Sequence, residues 1–184
     1  MDKLDIIREG IEEDFNHLIV LSEMVGEVYS HGRANDTYTV GYQVCLNAML
    51  TEIVMIIGRL MDTNIKSKSI PTLIGLLIKR MKDKECEKLE EIIKFQESQL
   101  EHLRADKIIE SLRFLRNKRL AHNDMKNFEI NQDVQALLDA CNNIRCYLDS
   151  ISYYLDVPFK YSAEDFTFWH NVSQDFWDSA KVKN

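Results

Sequence analysis

Only six glycines and two prolines interrupt 184 residues, and between them the apolar side chains recur every three or four positions. A chain so short of breakers, with that period, is committed to long helices. Leu4, Ile7, Ile11, Phe15, Leu18, Val25 and Val28/Tyr29 mark one face of a helix from Asp2 to about His31. Gly32 and the polar Arg33-Ala34-Asn35-Asp36 stop it, with Asn35, Asp36 or Thr37 as the next N-cap. A second helix, Tyr38 to Asp62, is apolar on most sides around Val54–Ile57, as a helix central to a bundle would be. Thr63–Ser69 reads as a polar loop, and Pro71 stands near the first turn of a third helix, Thr72 to about Met81.

The charged run Lys82-Asp83-Lys84-Glu85 opens a weakly periodic section. Ile92, Ile93, Phe95, Leu100 and Leu103 give 85–104 one apolar side, which leaves open a continuation of the third helix or an exposed arm. A fourth helix is predicted from Asp106 to Ala121, with Ile108, Leu112 and Leu115 on its buried stripe. A fifth, Gln132 to Leu155 behind an Asn131 N-cap, carries Val134, Leu137/Leu138, Cys141, Ile144, Leu148, Ile151 and Leu155, and Pro158 ends it. No run alternates as strands do. The expected fold is all-α, an up-and-down bundle of about five main helices over 1–157.

Residues 158–184 differ in texture, with Phe159, Tyr161, Phe166, Phe168, Trp169, Phe176 and Trp177. Ser162 and Asp165 have the form of a capping box, so a short helix from Ala163 to about Ala180 is expected. Its apolar face, Phe166, Trp169, Val172 and Phe176, is read as folding back on the bundle or, less simply, on a dimer partner.

Composition removes several function classes. The most apolar runs, around Ile53–Ile57 and Leu73–Ile78, fall short of the ~20 residues a spanning helix needs, so no membrane partner is expected. Met1-Asp2-Lys3-Leu4-Asp5 has none of the features of an export signal, which makes the cytoplasm the expected location. Cys45, Cys86, Cys141 and Cys146 contain no C-x-x-C pair and read as reduced thiols. No histidine stands at ligand spacing for zinc, and no metal or cofactor is expected. The glycines are isolated, which removes phosphate-cradling loops, and no G-x-S-x-G elbow is present. Asp14-Phe-Asn-His17 is the nearest approach to a di-iron ligand pair and carries the wrong acid. His31, His102 and His170 lack a carboxylate at useful spacing, and Arg59 with Asp62 reads as a structural i,i+3 pair.

One window stands apart. From Lys107 to Lys126 the chain holds six basic residues, Lys107, Arg113, Arg116, Lys118, Arg119 and Lys126, against Glu110 and Asp124, a local balance of +4. The whole chain is −7, so the remainder sums to −11. Such a patch against an opposing background suits a phosphate or an acidic partner, although a solvated helix end gives the same count. Within it stands Arg116-x5-His122, with Asn117 directly after the arginine.

Arg116, Asn117 and His122 resemble the defining Arg-x4-6-His motif of the HEPN superfamily, in which a polar residue often follows the arginine. Leu115-Arg116-Asn117-Lys118-Arg119-Leu120-Ala121-His122 and the upstream Gly58-Arg59-Leu60-Met61-Asp62 are similar to its abortive-infection, AbiU-type branch, and the resemblance extends over Asp2 to Leu155. It implies a small helical protein that dimerises so that two motifs meet. The implied activity is a metal-independent RNA endonuclease of the phage-defence toxin type; the alternative is a non-catalytic RNA-binding or protein-interaction module of the same fold. An antitoxin or other defence-system partner is also compatible with it. Toxins of the superfamily that are modified by nucleotidyltransferase antitoxins carry Tyr two residues after the His. Asp124 stands there instead, so modification at that position is not expected.

The chemistry fits those residue types. Cleavage without metal needs proton transfer near neutral pH, which imidazole supplies, and positive charge on phosphate oxygens, which guanidinium supplies bidentately. Arg116, His122 and Asn117 are the expected catalytic residues, with Lys118, Arg119, Arg113 and Lys126 binding RNA. Residues six apart on an ideal helix are about 120° apart around the axis and about 9 Å along it. Either the helix breaks near Leu120–His122, or the site forms between two chains of a homodimer. Arg116, Lys118, Arg119 and Lys126 should then form the main positive patch. These side chains scattered, or Arg116 and Arg119 buried in intrachain pairs, would favour a structural role. Arg116 and His122 are both expected outside the buried stripe, so that truncating them spares stability.

Overall fold

A computed structural model describes residues 2–30, 40–82, 87–122, 134–160 and 163–180, and all regular structure among them is helical. The helices are α1 (Lys3–Ser30), α2 (Val40–Leu60), α3 (Ile70–Lys82), α4 (Glu87–Ala105), α5 (Lys107–His122), α6 (Val134–Leu155) and α7 (Ala163–Ala180). The boundaries lie within about two residues of those the periodicity predicts. The expected N-caps at Asn35, Asp36, Thr37, Asn131 and Ser162 lie outside the described residues.

Helix α1 is the organising element and packs against α2, α3, α6 and α7. Its Ile7, Ile11, Phe15 and Leu18 join Ile53, Ile56, Ile57 and Leu60 of α2, Ile109 and Leu112 of α5, and Ile144, Leu148 and Ile151 of α6 in one core. Helix α2 has the length and mean hydropathy, 1.6, that a membrane-spanning helix needs. Its C-terminal half is nevertheless buried from Ile53 to Leu60, apart from Met55 and Arg59, between α1 and α5. This apolar stretch is longer than the Ile53–Ile57 run suggests, because Leu46, Met49 and Leu50 extend it.

The ambiguous section 85–104 resolves, over its described part, into a separate helix. Ile93, Gln96, Leu100 and Leu103 form the buried stripe of α4 at i, i+3, i+7 and i+10. Gln96 is the unanticipated member: its backbone carbonyl accepts from the Tyr147 hydroxyl at 2.8 Å, and its side-chain Nε2 donates to Ser150 Oγ at 2.8 Å. Those two bonds tie α4 to α6. Phe95, expected on the apolar side, is half exposed and meets Tyr154 edge to face instead.

Helix α5 begins at an Asp106 N-cap, whose Oδ1 accepts from the Ile108 amide at 2.8 Å. Asp156 closes α6 in the left-handed region, φ 52°, and the chain then buries Val157 and Phe159 against the core. Helix α7 lies along α1, as one of the two expected placements has it. Its buried face is centred on Ser173 and Trp177, one position round from the predicted Phe166, Trp169, Val172 and Phe176 stripe. Trp177 is fully enclosed, packs with Val28, Tyr42 and Phe176, and donates from Nε1 to the Met24 carbonyl at 2.6 Å.

Candidate functional site

Within α5, Ile109 and Leu112 are fully buried, whereas Ile108 is half-buried. The inward stripe therefore runs 109, 112, 116, and Arg116 continues it by one further turn. This corrects the expectation that Arg116 lies outside the stripe. Its side chain is 17% exposed and enters the seam between α5 and α2.

Three features of α2 make the seat. Gly58 is buried and presents no side chain; a Cβ there would collide with Arg116 Cδ and stand 3.0 Å from Cγ. The Gly58 carbonyl accepts from Arg116 Nη1 at 2.5 Å, and Asp62 Oδ2 accepts from Nη2 at 3.3 Å. Arg116 Nε is enclosed with no hydrogen-bond partner among the described residues. The guanidinium is thus fixed along one edge by the C-terminal turn of α2, where outward-tilted carbonyls and the helix dipole favour a cation. Asp62 acts in two directions, since its Oδ1 also accepts from the Asn64 amide at 3.0 Å and shapes the loop that follows. Arg116 therefore does not belong to an exposed cationic patch. It is held in an intrachain pair.

Arg59 does not pair with Asp62. It makes a two-pronged contact with Asp14 across α1, 2.8 Å at its shortest, and a 3.1 Å bond to Glu52. The hydrogen bond to Asp14 pushes the Arg59 guanidinium above its ordinary value, opposed in part by burial. These groups frame a pocket of about 630 Å³ lined by Gly10, Glu13, Asp14 and His17 of α1, Glu52 and Arg59 of α2, Asp62, Ser67 and Lys68 of the segment that follows α2, and Arg116.

The remaining expected site residues are placed only in part. Arg113 is half-buried on α5. The side chains of Asn117, Lys118, Arg119 and His122 lie outside the described residues, although their backbone is helical through His122. Lys126 lies outside them altogether. Because α5 is continuous to His122, the first of the two geometric alternatives, a break near Leu120–His122, does not occur. Positions 116 and 122 stay about 120° and about 9 Å apart on one helix.

Sequence reasoning missed the Arg116 seat, although a lone glycine in an apolar helix is the usual sign of a close approach. It also missed the surroundings of His170, whose Nδ1 lies 3.8 Å from Glu27 Oε2 and 3.9 Å from Glu23 Oε2. Those carboxylates belong to α1, far away in sequence. Among the described residues no cluster of three His, Cys, Asp or Glu is arranged to hold a metal.

An all-helical bundle with Arg-x5-His closing a buried helix is of the HEPN type. The family model HEPN_AbiU2, described as AbiU2, matches residues 2–152, and the chain belongs to that family. Helix α7 lies beyond the matched segment. No curated protein and no solved structure matches.

Proposed function

We propose that the protein is a metal-independent RNA endonuclease of the abortive-infection type, with a composite site at the junction of two copies. The observation that carries this is the orientation of α5: Arg116 is anchored in a pocket-lining seat, and the helix continues without a break to His122. Positions 116 and 122 do not share a face of one straight helix, whereas a two-fold axis near α5 would pair the Arg116 of each copy with the His122 of the other.

In this reading one imidazole takes the proton of an RNA 2′-hydroxyl as that oxygen bonds to the adjacent phosphorus. A second, protonated imidazole gives its proton to the 5′-oxygen as the phosphorus–oxygen bond breaks. Arg116 offers its remaining N–H groups to the phosphorane oxygens, and Asn117 orients the imidazole or the phosphate. The products are a 2′,3′-cyclic phosphate, or a 3′-phosphate after its hydrolysis, and a 5′-hydroxyl. Purified protein incubated with total RNA in EDTA should yield these ends, and His122→Ala should not. Metal-dependent cleavage leaving 3′-hydroxyl ends would overturn the mechanism.

The burial of Arg116 against Gly58 and Asp62 favours a second reading, in which the arginine braces α2 against α5 in a non-catalytic RNA-binding or interaction module. RNA binding without cleavage, together with a large stability loss in Arg116→Ala, is the result that selects it.

A further inference from the structure

Arg116 has a counterpart on the opposite wall of its pocket. Gly10 of α1 is buried, and the stem of Lys68 lies across it. A Cβ at Gly10 would collide with Lys68 Cδ and stand 2.9 Å from Lys68 Cβ. Two helix glycines, Gly10 and Gly58, thus each give passage to a cationic side chain that reaches the same pocket. The backbone on both sides of Lys68 is pinned. Asn64 Oδ1 accepts from the Lys66 amide at 3.0 Å, Ser67 Oγ donates to the Asn64 carbonyl at 2.5 Å, and Ser69 Oγ donates to the Asp62 carbonyl at 2.6 Å. Lys68 is therefore positioned before any ligand arrives, which lowers the entropy of using it.

The charges of the pocket are unevenly spent. Arg59 is engaged by Asp14 and Glu52, and Arg116 by Asp62. Among the described residues Lys68 makes no ion pair, and neither does Glu13, one turn beyond Gly10 on α1; both line the pocket. Arg116 also lines this pocket, although its Nε is enclosed.

We propose that this pocket admits one phosphate of a single-stranded RNA, with Lys68 as its principal contact and Glu13 as the group that limits its affinity. This rests on the reading of the chain as an RNA-handling protein and assigns Lys68 a role outside the Arg-x5-His motif. The lining holds four carboxylates against three cations, so Lys68 is a single focused contact rather than part of a basic surface, which suits a chain of net charge −7.

The test is fluorescence anisotropy with a labelled random pool of single-stranded RNA, on His122→Ala protein so that the probe stays intact. Lys68→Ala should weaken binding about three- to tenfold and flatten the log affinity against log salt slope by roughly 0.7, the value for one phosphate of a single strand. Lys68→Arg should restore affinity, and Glu13→Gln should tighten it. Gly10→Ala should weaken binding in the parent and add nothing in the Lys68→Ala background, because it acts by displacing that side chain. Unchanged affinity and slope in Lys68→Ala would overturn the proposal. So would the reverse signs, tighter binding in Lys68→Ala and weaker in Glu13→Gln. Cleavage by the wild-type chain, assayed in parallel, separates the two readings. Lys68-dependent binding without cleavage overturns the nuclease and supports the pocket, and His122-dependent cleavage with Lys68-independent binding does the opposite. No RNA binding overturns both.

Discussion

Arg116 lies across Gly58. Its stem fills the space that any larger residue at 58 would occupy, and its Nη1 donates to the Gly58 carbonyl at 2.5 Å. The arginine and the glycine are one unit of structure, and their variants should not behave independently. Gly58→Ala keeps helix propensity and would on that ground stabilise α2, by up to about 1 kcal/mol. The collision with Arg116 outweighs this, and a net loss of about 1–3 kcal/mol is expected. In the Arg116→Ala background the same substitution should cost much less, and thermal melts of the four proteins of this cycle measure the difference. Additive losses would show that the contact is not what ties the two residues.

Arg116→Ala should also lower stability by itself. The side chain continues the Ile109–Leu112 stripe, and its removal strips both the Gly58 carbonyl and Asp62 of a charged donor. A hydrogen bond to a charged group contributes roughly 1.5–3 kcal/mol, and because Asp62 keeps partial access to water the lower half of that range is expected. Activity lost in Arg116→Ala is thus interpretable only beside its melting temperature. Arg116→Lys, which retains the charge without the planar fork, should recover part of the stability but lose the paired contact to the Gly58 carbonyl and Asp62.

How much was legible in the chain follows from which interactions are local. Six of the seven helices among the described residues follow from 3.6-residue periodicity and the scarcity of breakers, both written in consecutive residues. The weak periodicity of 85–104 leaves α4 open between a continuation of the third helix and an exposed arm. The errors are long-range. Ile108 and Ile109 are adjacent, and only the position of α2 decides which of them faces inward and hence that Arg116 shares the buried line. Phe95 looked like core and is half exposed, because Gln96 rather than an apolar neighbour faces Tyr147 and Ser150 of α6. Asp62 was paired with Arg59 on helical spacing. The third dimension gave Asp14 to Arg59 and left Asp62 for Arg116.

The cysteines should separate by reactivity. Cys45 and Cys146 are exposed, whereas Cys141 is buried, and burial pushes its thiol up to about 12. Iodoacetamide at pH 8 should therefore alkylate Cys45 and Cys146 in the folded protein and spare Cys141 until the chain unfolds, as read by peptide mass. Rapid modification of Cys141 under native conditions would contradict its enclosure.

The same burial gives a pH dependence with a definite sign. Cys141 and Tyr147 are both raised, each chiefly by desolvation, so the folded state holds their protons at a pH where the unfolded chain releases them. Their contribution is full below the unfolded values, about 8.5 for a thiol and about 10 for a phenol, and is lost as pH rises toward the folded ones. Stability should fall from about pH 9 upward, by at most about 1.4 kcal/mol per pH unit for each group. Cys141→Ala, despite its own packing cost, should show a shallower decline between about pH 9 and 10, before the phenol contributes. A parallel decline would remove the thiol as a cause.

The composite site proposed above yields the most demanding test. Arg116→Ala and His122→Ala homodimers each lack one partner in both sites and should be inactive, by about 10²–10⁴ for loss of a general acid or base and about 10²–10³ for loss of a charge stabiliser. In a mixed dimer, one chain contributes an intact Arg116 and the other an intact His122. If the two meet across the two-fold axis, half of the Arg–His pairs are rebuilt, whereas a site within one chain has none. The two-imidazole mechanism leaves that rebuilt junction one histidine short, so co-refolded equimolar variants, shown by light scattering to be dimers, should cleave slowly alone and recover a measurable fraction of wild-type cleavage when imidazole is added. A free base restores a missing proton carrier but not a missing guanidinium. Mixed dimers that gain nothing, with or without imidazole, while wild type cleaves, would place Arg116 and His122 in separate roles and return Arg116 to the brace between α2 and α5.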